Sequence, residues 1–384
     1  MKRVYLDNAA TSYPKAPGVA QAVYNYIENI GGNVGRGTYK NAYSAGQMVY
    51  ETRELICNLF NFDNPLNCVF TSNITQSLNI LLKGFLKNGD HVIVSSMEHN
   101  AVMRPLNSLK KSGVEFDRII CRQDGTLNPE DIKEKIKPNT KLVVMTHASN
   151  VCGTILPVEE VGKICRRHNI HFILDSAQSA GFLDVDFKKL NLSALAFTGH
   201  KGLLGPQGIG GFLIDSDFVK EVSTLSEGGT GSLSESELQP DYMPDKFESG
   251  TLNIPGIYGL NAALKYLSST GIQNIRKIEQ ELTEEFIKEV LNIKGVKLIG
   301  LRGIEGRTSV VSLDFVGNDN AEASYILDNE FGIMTRVGLH CAPSAHKTLG
   351  TFPEGTVRFS FGHFNTMDEV KYTVESIYKT IKML

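Results

Sequence analysis

Lys201 lies where a buried strand pattern gives way to a glycine-rich segment. It belongs to the run Ala-Phe-Thr-Gly-His-Lys-Gly at 196–202, and Leu-Gly-Pro-Gln-Gly-Ile-Gly-Gly follows at 204–211. An amine that is partly removed from water loses its proton more easily and becomes nucleophilic. Lys201 is therefore well placed to hold an aldehyde cofactor as a Schiff base. The simpler alternative is a strand-end lysine that points into solvent.

Asp175 ends a second strand pattern, which reads Ile-His-Phe-Ile-Leu-Asp-Ser-Ala-Gln at 170–178. Open α/β sheets present functional groups at the carboxyl ends of buried parallel strands. An acid there could keep the ring nitrogen of pyridoxal phosphate protonated, so that the ring withdraws electrons. Asp175 could instead be only a helix N-cap. That interpretation leaves Gln178 and Lys201 unexplained.

A hydroxyl-rich run, Thr-Ser-Asn-Ile-Thr-Gln-Ser at 71–77, precedes a helical pattern of apolar residues. Free backbone amides and the positive end of the helix dipole make such an N-terminus an anion site. We therefore expect Asn73, Ile74 and Thr75 to hold the cofactor phosphate. Hydroxyl residues before a helix are also ordinary caps. The prediction depends on the order along the chain, in which the phosphate site precedes the ring acid and the lysine.

Nine short motifs, spread in order over nearly the whole chain, resemble those of the cysteine desulfurase and selenocysteine lyase family. These are class V aminotransferase-type enzymes of the pyridoxal-phosphate fold type I group, and the resemblance is more specific for fold and cofactor than for substrate. The motifs are Tyr-Leu-Asp-Asn-Ala-Ala-Thr (5–11), Asn-Val-Gly-Arg-Gly (33–37), Met-Glu-His-Asn-Ala (97–101), His-Ala-Ser-Asn-Val-Cys-Gly-Thr (147–154), Asp-Ser-Ala-Gln (175–178), Thr-Gly-His-Lys (198–201), Phe-Glu-Ser-Gly-Thr-Leu-Asn (247–253), Arg-Val-Gly-Leu-His-Cys-Ala-Pro (336–343) and Val-Arg-Phe-Ser (357–360).

The resemblance implies a role for each matching residue. Lys201 would anchor pyridoxal 5'-phosphate, His99 would stack on its ring and move protons, and Cys341 would accept sulfur. Arg358 would clamp the substrate carboxylate, because a planar guanidinium forms two parallel hydrogen bonds with it. The other expected cofactor contacts are Asn150, Asp175, Gln178, Thr198, His200 and Thr251. The other expected substrate contacts are Asn150, Asn8 and Ala9. No metal site is expected.

Cys341 stands apart from the other cysteines of the sequence. It follows His340 in a loop of small residues, and a desulfurase needs a thiolate there to attack the sulfur of its substrate. The remaining cysteines are interpreted as buried or structural; they are Cys57, Cys68, Cys121, Cys152 and Cys165. None has CxxC spacing, which is typical of a reducing compartment and argues against disulfides or a zinc cluster.

Composition narrows the possible partners. The chain has 384 residues and a formal net charge of −3, which gives no support for nucleic acid or an acidic membrane surface. The amino terminus lacks an apolar signal region and no apolar run is long enough for a membrane span, so a cytoplasmic protein is expected.

Thr251 resembles a residue that reaches the phosphate of a neighbouring subunit. It implies a homodimer with two shared active sites.

Alternating strand and helix patterns predict the fold. We expect an α/β fold with a mostly parallel, seven-stranded-type sheet, helices on both faces, and a smaller α+β C-terminal domain. The expected units are an N-terminal segment, 1–17, that packs with the small domain, a large cofactor domain at 18–260, and the small domain at 261–384, which carries the Cys341 loop. The strand patterns are His91–Ser95, Leu142–Thr146, Ile170–Leu174, Leu192–Phe197, Ile209–Ile214, 308–315 and 356–361. The helix patterns are 45–60, Val158–His168 and 274–292.

Two features depart from the family pattern. Tyr39 stands where many relatives carry a histidine, and the run Glu-Gly-Gly-Thr-Gly-Ser at 227–232 extends a loop. This run lies within residues 223–244, which we expect to be a mobile loop near the active site. The expected activity is conversion of L-cysteine to L-alanine with a persulfide on Cys341, possible delivery to a sulfur-acceptor protein, and a role in iron–sulfur cluster assembly. Selenocysteine lyase or another class V lyase or aminotransferase is the alternative. A remote alternative is a non-catalytic nucleotide-binding scaffold, based on Gly-Ile-Gly-Gly at 208–211.

Overall fold

The computed structural model describes residues 3–34 and 37–384. Gly35 and Arg36 of the second motif, and the first two residues of the expected N-terminal segment, lie outside the described residues. The strands are β1 (Val4–Tyr5), β2 (Cys68–Thr71), β3 (His91–Ser95), β4 (Glu115–Ile119), β5 (Thr140–Thr146), β6 (His171–Asp175), β7 (Ala194–Thr198), β8 (Gly210–Ile214), β9 (Val296–Ile299), β10 (Val310–Phe315), β11 (Ile333–Met334), β12 (Arg336–Gly338) and β13 (Thr356–Ser360). The helices are α1 (Val19–Asn25), α2 (Lys40–Leu59), α3 (Ile74–Phe85), α4 (Asn100–Lys110), α5 (Val158–Arg167), α6 (Ser216–Val219), α7 (Ile254–Thr270), α8 (Ile272–Val290), α9 (Asn320–Phe331), α10 (Pro343–Leu349) and α11 (Met367–Met383).

A seven-stranded sheet forms the centre of the molecule, in the order β2-β8-β7-β6-β5-β3-β4. Only β8 runs antiparallel to its neighbours; the other pairs are parallel. Helices α2, α5 and α7 share a hydrophobic core with one face of the sheet, and α3 and α4 share a core with the other. This confirms the predicted α/β class with a mostly parallel sheet.

Side-chain alternation along the strands explains why both faces are covered. In β6, Phe172 and Leu174 enter one core, and Ile173 enters the other. A strand with apolar side chains on both faces must be buried on both, which is why the sequence shows a continuous apolar run. Gly211 in β8 has no room for a side chain, since an added Cβ would lie 2.3 Å from the Val69 carbonyl oxygen.

A second, antiparallel sheet has the order β12-β13-β10-β9 and packs with α8, α9 and α11 around a third core. Strand β1 pairs in parallel with β11, so the start of the described chain lies against this C-terminal part. The predicted boundary between residues 260 and 261 falls inside α7. The division into three units stays a prediction.

The predicted elements match the observed ones to within a few residues. The largest difference is in α2, which begins at Lys40, before the predicted start at residue 45. The run 208–211 enters β8 and is not a first strand-to-helix turn, which removes the basis for a nucleotide-binding scaffold. Residues 223–244 contain no helix or strand. Within the described ranges, none of the helices combines the length and apolar content that a membrane span requires.

Candidate active site

Lys201 follows the carboxyl end of β7 by three residues and is half-buried. Its loop is tied to the N-terminal segment, because the amide of Ser12 and the amine of Lys15 donate to the carbonyl of His200 at 2.9 and 2.8 Å. Removal from water lowers the pKa of Lys201 to about 8, and the Asp175 carboxylate partly opposes this shift. This loss of hydration favours the Schiff-base interpretation over a lysine that points into solvent.

Asp175 ends β6, the strand beside β7, and is 2% exposed. The amide of Ala177 donates to its Oδ1 at 2.9 Å, but a turn and not a helix follows at 177–182, so Asp175 is not a helix N-cap. Burial raises the pKa of this carboxyl. In the described part of the chain, no lysine, arginine or histidine forms an ion pair with it. A buried carboxylate of this kind suits a cationic partner such as a pyridinium N–H.

His99 stands before α4 as its N-cap. Its Nδ1 accepts from the amide of Ala101 at 3.0 Å, so the ring proton is assigned to Nε2. Burial, followed by the charge of Lys201, lowers the pKa of His99 to about 4. The ring is therefore neutral at physiological pH and can lie over a cofactor without adding charge.

The N-terminus of α3 has the geometry of an anion site. Asn73 caps it through Oδ1, which accepts from the amide of Gln76 at 3.0 Å. The first-turn amides, at Ile74 and Thr75, have no acceptor within the helix. Gly210 lets β8 pass close by, since a Cβ there would come within 3.0 Å of the Cα of Asn73. Thr251 lines the same cavity as Ser72, beside this helix start.

Two further residues that were predicted to contact the cofactor carry buried polar atoms without hydrogen-bond partners. Thr198 Oγ1 and His200 Nδ1 have none among the described residues. Buried polar groups are normally satisfied, so these atoms are consistent with a bound polar group at the end of β7. Together with Lys201, Asp175 and the α3 N-terminus, they fit pyridoxal phosphate.

Arg358 lies in β13 and is 2% exposed. Its Nη1 donates to the Asn150 carbonyl and its Nη2 donates to Asp7 Oδ1, each at 2.9 Å. Arg336 lies 3.8 Å from the other Asp7 oxygen. Asp7 and Arg336 were not predicted as site residues, although both lie within the family motifs at 5–11 and 336–343. The signal for them is that these motifs, at opposite ends of the chain, carry opposite charges.

The N-terminal segment completes this corner of the site. Asn8 Nδ2 donates to the Ser360 carbonyl at 2.9 Å, and the Ala9 amide donates to Ser360 Oγ at 2.9 Å. Gln178 Nε2 donates to the Ala9 carbonyl at 3.0 Å. The structure therefore brings Asn8, Ala9 and Gln178 together, and it places them between β6 and β13.

Cys341 is the only exposed cysteine of the six. It lies between β12 and α10, and its carbonyl accepts from the amide of Asn100 at 2.8 Å, beside His99. Asn150 reaches the same loop, since its Nδ2 donates to the His340 carbonyl at 2.7 Å. Burial raises the pKa values of Cys57 and Cys165 to about 12, as expected for inert thiols.

Comparisons with known proteins agree with this geometry. The family model for Aminotransferase class-V matches residues 4–373. A probable cysteine desulfurase of Methanothermobacter thermautotrophicus is 34% identical over 97% of this chain and 94% of its own length. One of Pyrococcus abyssi is 35% identical over 99% and 95%. The apo structure of the cysteine desulfurase of Thermococcus onnurineus NA1 superimposes with a TM-score of 0.92 at 33% identity, covering 100% of this chain and 95% of that one.

A match over nearly the whole chain, at more than 30% identity, places both the fold and the site motifs in one family. The lysine and aspartate that end neighbouring strands, and the cysteine loop beside them, lie within the matched residues. The chain therefore belongs to the aminotransferase class V family, among its cysteine desulfurases.

Proposed function

We propose that this protein is a pyridoxal-phosphate-dependent cysteine desulfurase that converts L-cysteine to L-alanine and takes the sulfur as a persulfide on Cys341. The observation that carries the proposal is the Cys341 loop. It is exposed, and its backbone is bound by Asn100, next to His99, and by Asn150, next to Arg358. A thiol whose loop is hydrogen-bonded both beside the expected cofactor contact His99 and beside the expected substrate contact Arg358 suits an enzyme that must accept an atom from its substrate.

Each residue of the site has a task in this reaction. When bound, pyridoxal phosphate supplies a ring that withdraws electrons from the Cα of the substrate. Asp175 would keep a proton on the ring nitrogen, and the α3 N-terminus would hold the phosphate. Lys201, whose pKa is lowered to about 8, would hold the cofactor aldehyde and, as a free amine, would remove the Cα proton of the substrate.

Arg358 and the N-terminal segment orient the substrate. The guanidinium binds the substrate carboxylate, and Asp7 holds it in place from the other side. Sγ of Cys341, as a thiolate, then attacks the sulfur of the substrate. A sulfur–sulfur bond forms on the enzyme as the carbon–sulfur bond breaks and its electron pair stays with the carbon skeleton. The skeleton then takes up one proton at Cβ, and the proton that Lys201 removed returns to Cα, which gives alanine.

The test compares the wild type with Cys341→Ser in the holoenzyme. The variant should keep the absorbance of the bound cofactor and should form almost no alanine from L-cysteine in the presence of dithiothreitol, since a hydroxyl is a poor sulfur nucleophile. Mass spectrometry of the wild type after brief exposure to L-cysteine should show one added sulfur on the Cys341 peptide. Cys152→Ala is the matched control, because Cys152 lies in a site motif but is buried.

Unchanged alanine formation in Cys341→Ser, with no persulfide in the wild type, would reject the desulfurase and favour the selenocysteine lyase alternative. If the persulfide forms, an acceptor protein that serves iron–sulfur cluster assembly is its proposed destination. Free, unpaired cysteines also make the reducing cytoplasm the proposed compartment.

We further propose a homodimer. Large apolar side chains are exposed along α1, the turn that follows it, and α2: Tyr24, Ile27, Tyr39, Tyr43 and Tyr50 are each 46–64% exposed. Several large exposed apolar side chains in one part of a chain make a candidate interaction site. In the proposed homodimer, a second copy would cover these side chains, including the ring of Tyr39. Thr251 would then serve a phosphate site, either in its own chain or in the partner.

A further inference from the structure

The turn that carries Cys341 has a strained backbone. His340 has φ 47° and Cys341 has φ 58°, so two consecutive residues with side chains adopt the left-handed conformation that favours glycine. Such strain persists only where surrounding contacts impose it, and it concentrates at functional sites. The contacts that hold the backbone of His340 and Cys341 in this conformation come from residues that can orient the thiol without touching the substrate.

A directional hydrogen-bond chain holds the His340 side chain. Ser312 Oγ lies 2.6 Å from the Val151 carbonyl and must donate to it, because a carbonyl can only accept. Ser312 Oγ therefore accepts from Thr356 Oγ1, at 3.1 Å. The Thr356 proton is then used, so His340 Nε2, at 3.1 Å, must be the donor to Thr356. This assigns the proton of the imidazole to Nε2.

The His340 ring does not act as an acid or base for the thiol. It is 6% exposed, its Nδ1 is buried without a partner among the described residues, and its Nε2 is directed to Thr356. Burial lowers the pKa of His340 to about 2, so the ring is neutral and cannot stabilise a thiolate as an imidazolium would. Its contribution to Cys341 is geometric.

The two strained residues are also held through their carbonyl groups. Asn150 Nδ2 donates to the His340 carbonyl at 2.7 Å, and the Asn100 amide donates to the Cys341 carbonyl at 2.8 Å. Arg358 Nη1 in turn donates to the Asn150 carbonyl at 2.9 Å. The turn is thus bonded to the substrate-binding loop on one side and to the start of α4 on the other.

We propose that His340 is a positioning residue. Thr356 holds the His340 side chain so that the strained turn presents the Cys341 thiol to the sulfur of the substrate. Asn150 links this turn to the site at Arg358 where the substrate carboxylate would bind. The proposal rests on the proposed desulfurase function. It assigns Ser312, Thr356 and His340 to sulfur transfer and not to binding of cofactor or substrate.

The test removes one hydrogen-bonding group of this chain and keeps the shape of the side chain that carries it. Thr356→Val in the holoenzyme deletes the acceptor of His340, and Thr356→Ser keeps it. Thr356→Val should lower kcat for alanine formation from L-cysteine about tenfold or more, because small misplacement of reacting groups is costly. Its KM should stay within about twofold, since the Arg358 contacts are retained. Thr356→Ser should have a kcat close to that of the wild type.

A second measurement separates lost positioning from general damage. The rate at which iodoacetamide alkylates Cys341, followed by mass spectrometry, should be at least as high in Thr356→Val as in the wild type, because a relaxed turn leaves the thiol accessible. His340→Gln, whose amide can still donate to Thr356, should retain more kcat than His340→Leu. This second pair decides the question if Thr356→Val does not fold.

The outcomes distinguish the two proposals. A wild type without a persulfide on Cys341 would refute the desulfurase function itself. A wild type with the persulfide, together with wild-type kcat in Thr356→Val or equal kcat in the two His340 variants, would overturn the positioning role alone. A fall in kcat that is matched by loss of cofactor absorbance and of alkylation would also overturn it.

Discussion

Burial lowers the pKa of the Lys201 amine to about 8 and raises the pKa of the Asp175 carboxyl. Both shifts favour the uncharged forms, because each group lies at the end of a fully buried strand. The site therefore combines an amine that is easily deprotonated with a carboxyl that gains from a cationic partner. Groups with perturbed pKa values that converge in this way are typical of catalytic centres.

Lys201→Ala should abolish the covalent anchor of the cofactor. Contacts at the α3 N-terminus and at Asp175 should still retain some pyridoxal phosphate, but borohydride should no longer fix it to the protein. The measurement is the absorbance spectrum before and after borohydride and dialysis, with Lys15→Ala as control because Lys15 is the nearby lysine that contacts the same loop. A chromophore that borohydride still fixes in Lys201→Ala would mean that another lysine is the anchor.

Uptake of pyridoxal phosphate by the apoprotein should depend on pH through the same amine. The folded-state pKa of Lys201, about 8, lies below that of a free lysine, so the nucleophilic amine accumulates as the pH rises toward and past 8. The rate of cofactor uptake, followed by absorbance, should therefore rise between about pH 7 and 9 and then level off. A midpoint near the ordinary lysine pKa would contradict the desolvated site.

Asp175→Ala should weaken cofactor binding and slow loss of the substrate Cα proton, on the order of a thousandfold. The reason is that Asp175 is the carboxylate proposed to face the ring nitrogen, which would lose its proton without it. Exchange of the Cα hydrogen of L-alanine in deuterated buffer measures this step without sulfur transfer. Near-normal exchange in the variant would show that another group holds the ring.

At the scale of elements, the site depends on close packing around β8. This strand crosses between β2 and β7, and it passes the α3 N-terminus so tightly that glycine is required at two successive positions, Gly210 and Gly211. A side chain at either position would separate strands or displace Asn73 from the phosphate site. The glycine run is therefore a packing feature that shapes an anion site without binding the anion.

Gly211→Ala should destabilise the protein by about 3 kcal/mol, at the upper end of the usual cost of overpacking. Its Cβ would lie 2.3 Å from the Val69 carbonyl oxygen and 2.6 Å from the Phe197 ring, and both lie in the central sheet. Thermal or urea unfolding measures the change. Gly229→Ala is the control, since a Cβ there meets nothing within 4 Å; equal stability of the two variants would contradict the packing argument.

At the scale of the whole molecule, the site is assembled from distant parts of the chain. Asp7 and Arg358, which form an ion pair in the site, are separated by 351 positions. The pairing of β1 with β11 and the bonds from Asn8 and Ala9 to Ser360 bring them together. In the proposed homodimer, the exposed apolar side chains at 24–50 would be covered by a second copy.

The dimer proposal predicts that the wild type sediments at twice the chain mass. Tyr43→Glu combined with Tyr50→Glu should shift it to the monomer, because two charges would be buried at the interface without partners. Analytical ultracentrifugation at micromolar concentration measures the shift. Tyr325→Glu, a charge placed at a tyrosine that is 67% exposed on α9, should leave the dimer intact. A monomeric wild type would reject the proposal.

The local features of this protein were determined by its sequence. The apolar runs along β6 and β7, with Asp175 and Lys201 at or just beyond their carboxyl ends, predicted the central sheet and placed these two groups at one edge of it, because periodicity and strand ends are local properties. The cysteine in a small-residue loop was found in the same way. Element boundaries differed by a few residues, since helix and strand ends depend on packing as well as on propensity.

Only the tertiary structure decided which of these groups meet. The Asp7–Arg358 pair, the bond from Gln178 to Ala9 and the chain from Val151 to His340 all join residues far apart in sequence. No local pattern encodes such contacts, because they exist only once two sheets and the N-terminal segment have packed. For the same reason the pKa shifts of Lys201 and His99 follow from burial and from neighbouring charges, which the folded chain alone creates.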